Sequence, residues 1–109
     1  MTAEFLAKKC NLEILNLGNP NTEISGVYSC DLLSFVMGRA FSGSAWVTVM
    51  GNINSVAVAS LTEIGVIILA DGVTPDENAL EKAKENNINI FSSKNPVFET
   101  ALNVYEALK

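Results

Sequence analysis

The sequence predicts an α/β fold of three layers: a central, mainly parallel sheet of about four to five short strands with helices on both faces. Three observations carry this reading. Apolar runs starting near Ala45, Val66 and Ile88 recur at intervals of 21 and 22 residues, each followed by a segment of helical spacing. Connections that hold whole helices are not hairpins, so successive strands run parallel through right-handed crossovers. The runs themselves, Val66 to Ala70 above all, lack polar alternation, as strands covered on both faces do.

The elements follow in order. Thr2 caps a first helix over Ala3 to Lys9, with Phe5 and Leu6 inward and Glu4 in the first turn, where the helix dipole favours negative charge. Leu12 to Leu17 reads as a strand, Gly18 to Thr22 as a turn cluster and Ile24 to Tyr28 as a short extended piece. A helix capped by Ser29 or Asp31 then runs to Phe41, ringed by Leu32, Leu33, Phe35, Val36, Met37 and Ala40, which implies burial on more than one side. Ala45 to Met50 forms a strand ending at Gly51, Asn54 to Glu63 a helix, and Gly65 to Ala70 a strand ending at Asp71-Gly72. Thr74, Pro75 and Glu77 match an N-cap, an N1 proline and an N3 acid, so a capping box opens a helix reaching about Asn87. Ile88 to Phe91 is the third short strand. After Asn95-Pro96 a last helix begins, in which Val97, Phe98, Ala101, Leu102, Tyr105 and Leu108 recur at spacings of three and four.

Composition bounds the function. A chain of 109 residues that is 49% apolar and 17% charged is expected to form one domain, residues 1–109, with enough core to fold unaided. Histidine is absent, which excludes a histidine base or a histidine-activated nucleophile. Two cysteines, Cys10 and Cys30, fall short of a zinc ligand set, so no metal is expected, and in a reducing compartment they read as small buried apolar groups. A net charge of -5 argues against nucleic acid. The most apolar stretch, Val56 to Asp71, is broken by Ser60, Thr62, Glu63 and Gly65, and the first ten residues lack the apolar core of a leader; a cytoplasmic protein without membrane contact is expected.

Ligands of open parallel sheets gather at the carboxyl ends of the strands. Those positions hold Gly51, where a ligand can approach the backbone, and Asn52, Asn54 and Ser55, whose amide and hydroxyl groups stand at a helix N-terminus able to hold an anion. Asp71 and Gly72 end the next strand, where an aspartate can orient a ligand hydroxyl. The plain alternatives are that Asn54 caps its helix, Gly51 makes a turn and Asp71-Gly72 is turn chemistry. Charge is sparse between Ile24 and Gly72, so part of the central surface is expected in a homodimer interface built on the helix of Asp31, Phe35, Met37 and Arg39, the Asn54 to Glu63 helix, or both. No phosphate-loop, dinucleotide or nucleophile-elbow motif occurs. Cys30 beside Asp31 is the one candidate nucleophile, with the negative charge of Asp31 opposing its activation.

The order and spacing of three segments resemble the DRTGG domain, which is also similar to the N-terminal domain of HPr kinase/phosphorylase. They are Asp31-Leu32-Leu33-Ser34 opening a helix, the strand–Gly51–helix–strand through Asp71-Gly72, and Val97-Phe98-Glu99-Thr100-Ala101 opening the last helix. The chain departs from the family string: where Gly-Asp-Arg-Thr-Asp would stand it has Gly51-Asn52-Ile53-Asn54-Ser55, so no arginine contact carries over to Ile53. The resemblance implies a stand-alone, divergent, non-catalytic regulatory domain without cofactor, of a kind that dimerises and is joined to enzymes or nucleotide-sensing CBS modules. The resulting expectation is a homodimeric regulatory module binding a small anion or adenine nucleotide and signalling to a partner enzyme or kinase. The alternative is an interaction module that docks such a partner with no small-molecule ligand.

Overall fold

The computed structural model describes residues 1–109. Five strands and five helices succeed one another as α1 (Ala3–Lys9), β1 (Glu13–Asn16), β2 (Gly26–Ser29), α2 (Leu33–Arg39), β3 (Ser44–Thr48), α3 (Ile53–Leu61), β4 (Val66–Leu69), α4 (Glu77–Asn86), β5 (Ile90–Ser92) and α5 (Val97–Ala107). They build one mixed sheet in the order β1-β5-β4-β3-β2. β2 to β5 are mutually parallel, in registers such as Val47↔Ile68 and Ile68↔Phe91, and only β1 runs antiparallel, along the β5 edge. The mainly parallel three-layer reading therefore holds.

The three crossovers step one place along the sheet in the same direction, so α2, α3 and α4 fall on one face. Strand periodicity then divides the core. Trp46, Ile67, Leu69 and Ile90 point to that face and pack with Val36, Val56, Ala59, Ala79 and Ala83. Ala45, Val47, Val66, Ile68 and Phe91 point to the other, under Leu6 and Ala7 of α1 and Val104 and Ala107 of α5. Buried on both sides, β3 and β4 needed no polar residue on an outer face, which is why their apolar runs are continuous. Trp46 is a core residue, its indole N–H donating to the Cys30 carbonyl at 2.9 Å.

Several local expectations are corrected. Thr74 does not cap α4: Asp76 occupies that place without a side-chain bond, and Pro75 lies outside the helix. The Asp76 N–H instead donates to the Gly51 carbonyl at 2.8 Å, so a contact between loops overrides the local box. α3 starts one residue early because Asn52, not Asn54, is its cap, accepting from the Ser55 N–H at 3.1 Å. Neither Ser29 nor Asp31 caps α2, whose N-cap is Leu32. α2 is buried only through Val36, and Leu32, Phe35, Met37 and Phe41 are exposed, so the chain itself does not wrap this helix. In α1 Phe5 points outward. In α5 the buried stripe is Thr100, Val104 and Ala107, leaving Phe98, Leu102 and Tyr105 exposed. Thr100 takes an inward place because its hydroxyl is paired with Ser93 Oγ at 2.8 Å, a polar core residue invisible to a count of apolar positions.

Candidate functional site

Four parallel strands end at one rim of the sheet, and the antiparallel β1 begins there. The rim thus gathers Cys30-Asp31 after β2, Val49 to Asn52 after β3, Ala70 to Gly72 after β4, Ser93 to Asn95 after β5, and Asn11 and Leu12 before β1. Adjacent loops are joined by hydrogen bonds. Asp31 Oδ1 accepts from Thr48 Oγ1 at 2.6 Å and from the Val49 N–H at 3.0 Å, tying the end of β2 to that of β3. Asp76 N–H to Gly51 O ties the loop after β3 to the segment before α4. The Asp71 and Gly72 amides donate to the carbonyls of Asn95 (2.8 Å) and Ser93 (2.9 Å), tying the loop after β4 to the one after β5.

The six ligand-binding candidates share this rim, but most of their polar groups are used within the protein. Gly51 meets the chain itself: a Cβ there would lie 3.0 Å from the Thr74 carbonyl oxygen and 3.1 Å from Pro75 Cα. The side chain of Asn52 caps α3, and Ser55, buried, donates its hydroxyl to Met50 O at 2.7 Å. Asn54 is exposed on the first turn. Asp71 and Gly72 both have positive φ, 56° and 67°, forming a tight left-handed turn whose amides are taken. Around Gly51, Asn52 and Ser55 the enclosed space is about 10 Å³, room for one water at most.

The open concavity of the rim lies beside β5 instead. A groove of about 640 Å³ is bounded by Asn11, Glu13, Ser93, Lys94, Asn95 and Asn103, with Cys10 at its margin. None of these was singled out as a ligand group from sequence. The signal was present in Ser92-Ser93-Lys94-Asn95, a polar run at the end of the third spaced strand, where the rule applied to Gly51 and Asp71 holds equally. Cys10, which caps the end of α1, and Asn103 of α5 meet here only through the fold: Cys10 Sγ lies 3.8 Å from the Asn103 carbonyl. Burial pushes the Cys10 thiol above its ordinary pKa, with Lys9 opposing.

The four interface candidates separate in the structure. Phe35 and Met37 are each 46% exposed on α2. Arg39 lies over the Phe35 ring, 4.6 Å from its centroid, and not against Asp31, which faces β3. Both cysteines are half-buried and free, not fully buried as the sequence suggested; Cys30 Sγ accepts from the Leu32 N–H at 3.4 Å. No helix is long and apolar enough to cross a membrane.

No family model matches the chain, and no curated protein sequence matches it. Among solved structures the chain is similar to the crystal structure of the CBS and DRTGG domains of the regulatory region of Clostridium perfringens pyrophosphatase, complexed with the activator diadenosine tetraphosphate. The TM-score is 0.76 at 16% identity, and the match covers 98% of this chain but 47% of that one, so this chain spans about half the length of its structural neighbour. The likeness is one of fold: the five-stranded mixed sheet with its five helices is an architecture found in a CBS and DRTGG regulatory region.

Proposed function

We propose that this single-domain chain is a non-catalytic, DRTGG-like regulatory module, homodimeric and cytoplasmic, that holds a small anionic ligand such as an adenine nucleotide at the rim of its parallel strands and passes occupancy to a partner enzyme or kinase. The observation that carries this reading is the serial bonding of the rim. Because the loops after β2, β3, β4 and β5 are joined neighbour to neighbour, a ligand that moves one of them moves the set, which suits a sensing part better than a reacting one. The neighbour of similar fold belongs to the regulatory region of an enzyme and was crystallised with a nucleotide activator. In this chain Lys94 supplies positive charge beside the open groove, while Asn54, exposed on the first turn of α3, offers a side-chain amide at the same rim.

Thermal unfolding with AMP, ADP, ATP and inorganic phosphate, each at millimolar concentration, tests it. A ligand at 100 times its Kd adds about 2.7 kcal/mol, or ~10 °C at roughly 4 °C per kcal/mol for a domain of this size. Lys94→Ala should reduce that shift. No shift with any of the four overturns ligand binding of this class.

The second reading, a module that docks a partner without a small ligand, is favoured by the space of about 10 Å³ near Gly51 and by the exposed apolar side chains of α2. Unchanged melting with all four ligands, together with loss of partner capture on Phe35→Asp or Met37→Asp, would select it.

A further inference from the structure

The sheet has two edges, and the chain treats them differently. Exposed edge strands invite pairing, and proteins blunt them with charge, proline or bulges. β1 is blunted: it opens on Glu13 and its register breaks between Ile14 and Asn16. β2 is not. Gly26-Val27-Tyr28-Ser29 has no charge and no proline, keeps an unbroken register with β3 over all four residues, and has no strand on its outer side.

Both layers also bring aromatic side chains to this edge. On the face of α2, the Phe41 ring lies over Gly26, where a Cβ would come within 2.9 Å of it. Tyr28 stands beside Cys30 and Arg39, and Arg39 stacks on Phe35. On the opposite face α5 crosses β2 and β3. The flank of α5 bearing Asn103, Glu106 and Ala107 meets the end of α1. Phe98, Leu102 and Tyr105, at i, i+4 and i+7, therefore take the other flank, on the side of β2. Four of the chain's eight aromatic residues flank one free strand, and a fifth, Tyr28, lies on it. Phe98 is 70% exposed, Tyr105 52%, Phe35 46% and Phe41 43%.

We propose that β2 pairs with β2 of a second copy about a two-fold axis perpendicular to the sheet, so that one sheet runs through both protomers. This rests on the homodimer of the proposed function and fixes its geometry. Identical strands related by such an axis are antiparallel, and α2 then faces α2 while α5 faces α5, as an isologous interface requires. The occupant follows from thickness. A lone peptide added to β2 would cover the strand and leave the stripes of both flanking helices in water; a second copy presents the same three layers. Aromatic side chains of 150–250 Å² each, about half exposed here, supply on the order of 500 Å². With Leu32, Met37, Leu102 and the strand itself, the patch approaches the ~800 Å² per partner of a standard interface.

Sedimentation of the full chain, with hydrogen exchange of the β2 amides, tests this against Phe35→Glu, Phe98→Glu and the control Phe5→Glu, whose residue is exposed on α1 away from the edge. All three replace exposed side chains, and circular dichroism confirms that each is folded. The expected result is a dimer for the wild type and Phe5→Glu, dissociation constants raised at least about 30-fold by both Phe35→Glu and Phe98→Glu, and faster exchange at Val27 to Ser29 in those two. A dimer weakened by Phe35→Glu but unchanged by Phe98→Glu, with β2 exchanging at one rate throughout, overturns the edge pairing while leaving the regulatory reading and an α2 dimer in place. A wild type that is monomeric at millimolar concentration overturns the pairing and the homodimer together, and leaves ligand binding to the melting experiment.

Discussion

Asp31 looks like a helix-capping acid in the sequence and is a clamp between strands in the structure. Its Oδ1 accepts from Thr48 Oγ1 at 2.6 Å and from the Val49 N–H at 3.0 Å, and Thr48 is fully buried. Asp31→Ala removes the acceptor and leaves a hydroxyl proton and an amide proton unpaired. Hydrogen bonds to charged groups contribute about 1.5–3 kcal/mol each. Asp31 is itself exposed, so water reaches part of the gap, and the low end applies: about 2 kcal/mol, or ~8 °C in Tm. Asp31→Asn keeps an acceptor and should cost about half as much. Asp76→Ala is the control, an acid at an N-cap with no side-chain bond, expected within ~0.5 kcal/mol of wild type. Urea unfolding followed by fluorescence of Trp46, the sole tryptophan and fully buried, reads all three at one fixed protein concentration, since the stability of the proposed dimer would depend on concentration. If Asp31→Ala and Asp76→Ala lose the same stability, the strand clamp is refuted.

Gly51→Ala should cost about 1–3 kcal/mol with or without nucleotide, because the new methyl meets the Thr74 carbonyl and Pro75 Cα; full stability would mean the loop yields freely. Gly72→Ala meets no atom within 4 Å but sits at φ +67°, so its cost, about 1 kcal/mol, is that of the left-handed backbone alone. Asn89→Ala should cost about 2–4 kcal/mol in denaturant, since this buried amide donates to the carbonyls of Asn19 and Gly65 and accepts from the Asn19 N–H; a loss below 1 kcal/mol would contradict that role. Burial raises the Cys10 thiol pKa in the folded state, so the native thiol stays protonated where the unfolded one already ionises. Stability should fall as pH climbs through the thiol range, and native labelling at pH 8 should be slower than in denaturant; equal rates would count against it.

The architecture was legible because long-range order left a local trace. Crossover helices space the strands, and double burial makes β4 apolar throughout and β3 apolar from Ala45 to Val47, so runs at Ala45, Val66 and Ile88 carry the topology. The antiparallel placement of β1 left no such trace, since its partner β5 lies more than seventy residues away. Three of the departures share one cause: a tertiary contact took a group that local rules had assigned elsewhere. Asp76 N–H went to Gly51, Asp31 to Thr48, and Thr100 to Ser93, which shifted the inward stripe of α5 and released Phe98, Leu102 and Tyr105 to the surface. The six candidate residues read from the sequence share one rim, but they lie in loops whose polar groups the protein largely uses itself. The groove beside Lys94 needs Asn11, Asn95 and Asn103, brought together from three parts of the chain.

Native mass spectrometry of the freshly purified full chain addresses assembly and ligand at once. A regulatory homodimer should appear at twice 11.7 kDa, with an added mass for a retained anion or nucleotide that disappears on dialysis and returns on adding the compound back. A species at 11.7 kDa across all concentrations, binding none of the nucleotides offered, would contradict it.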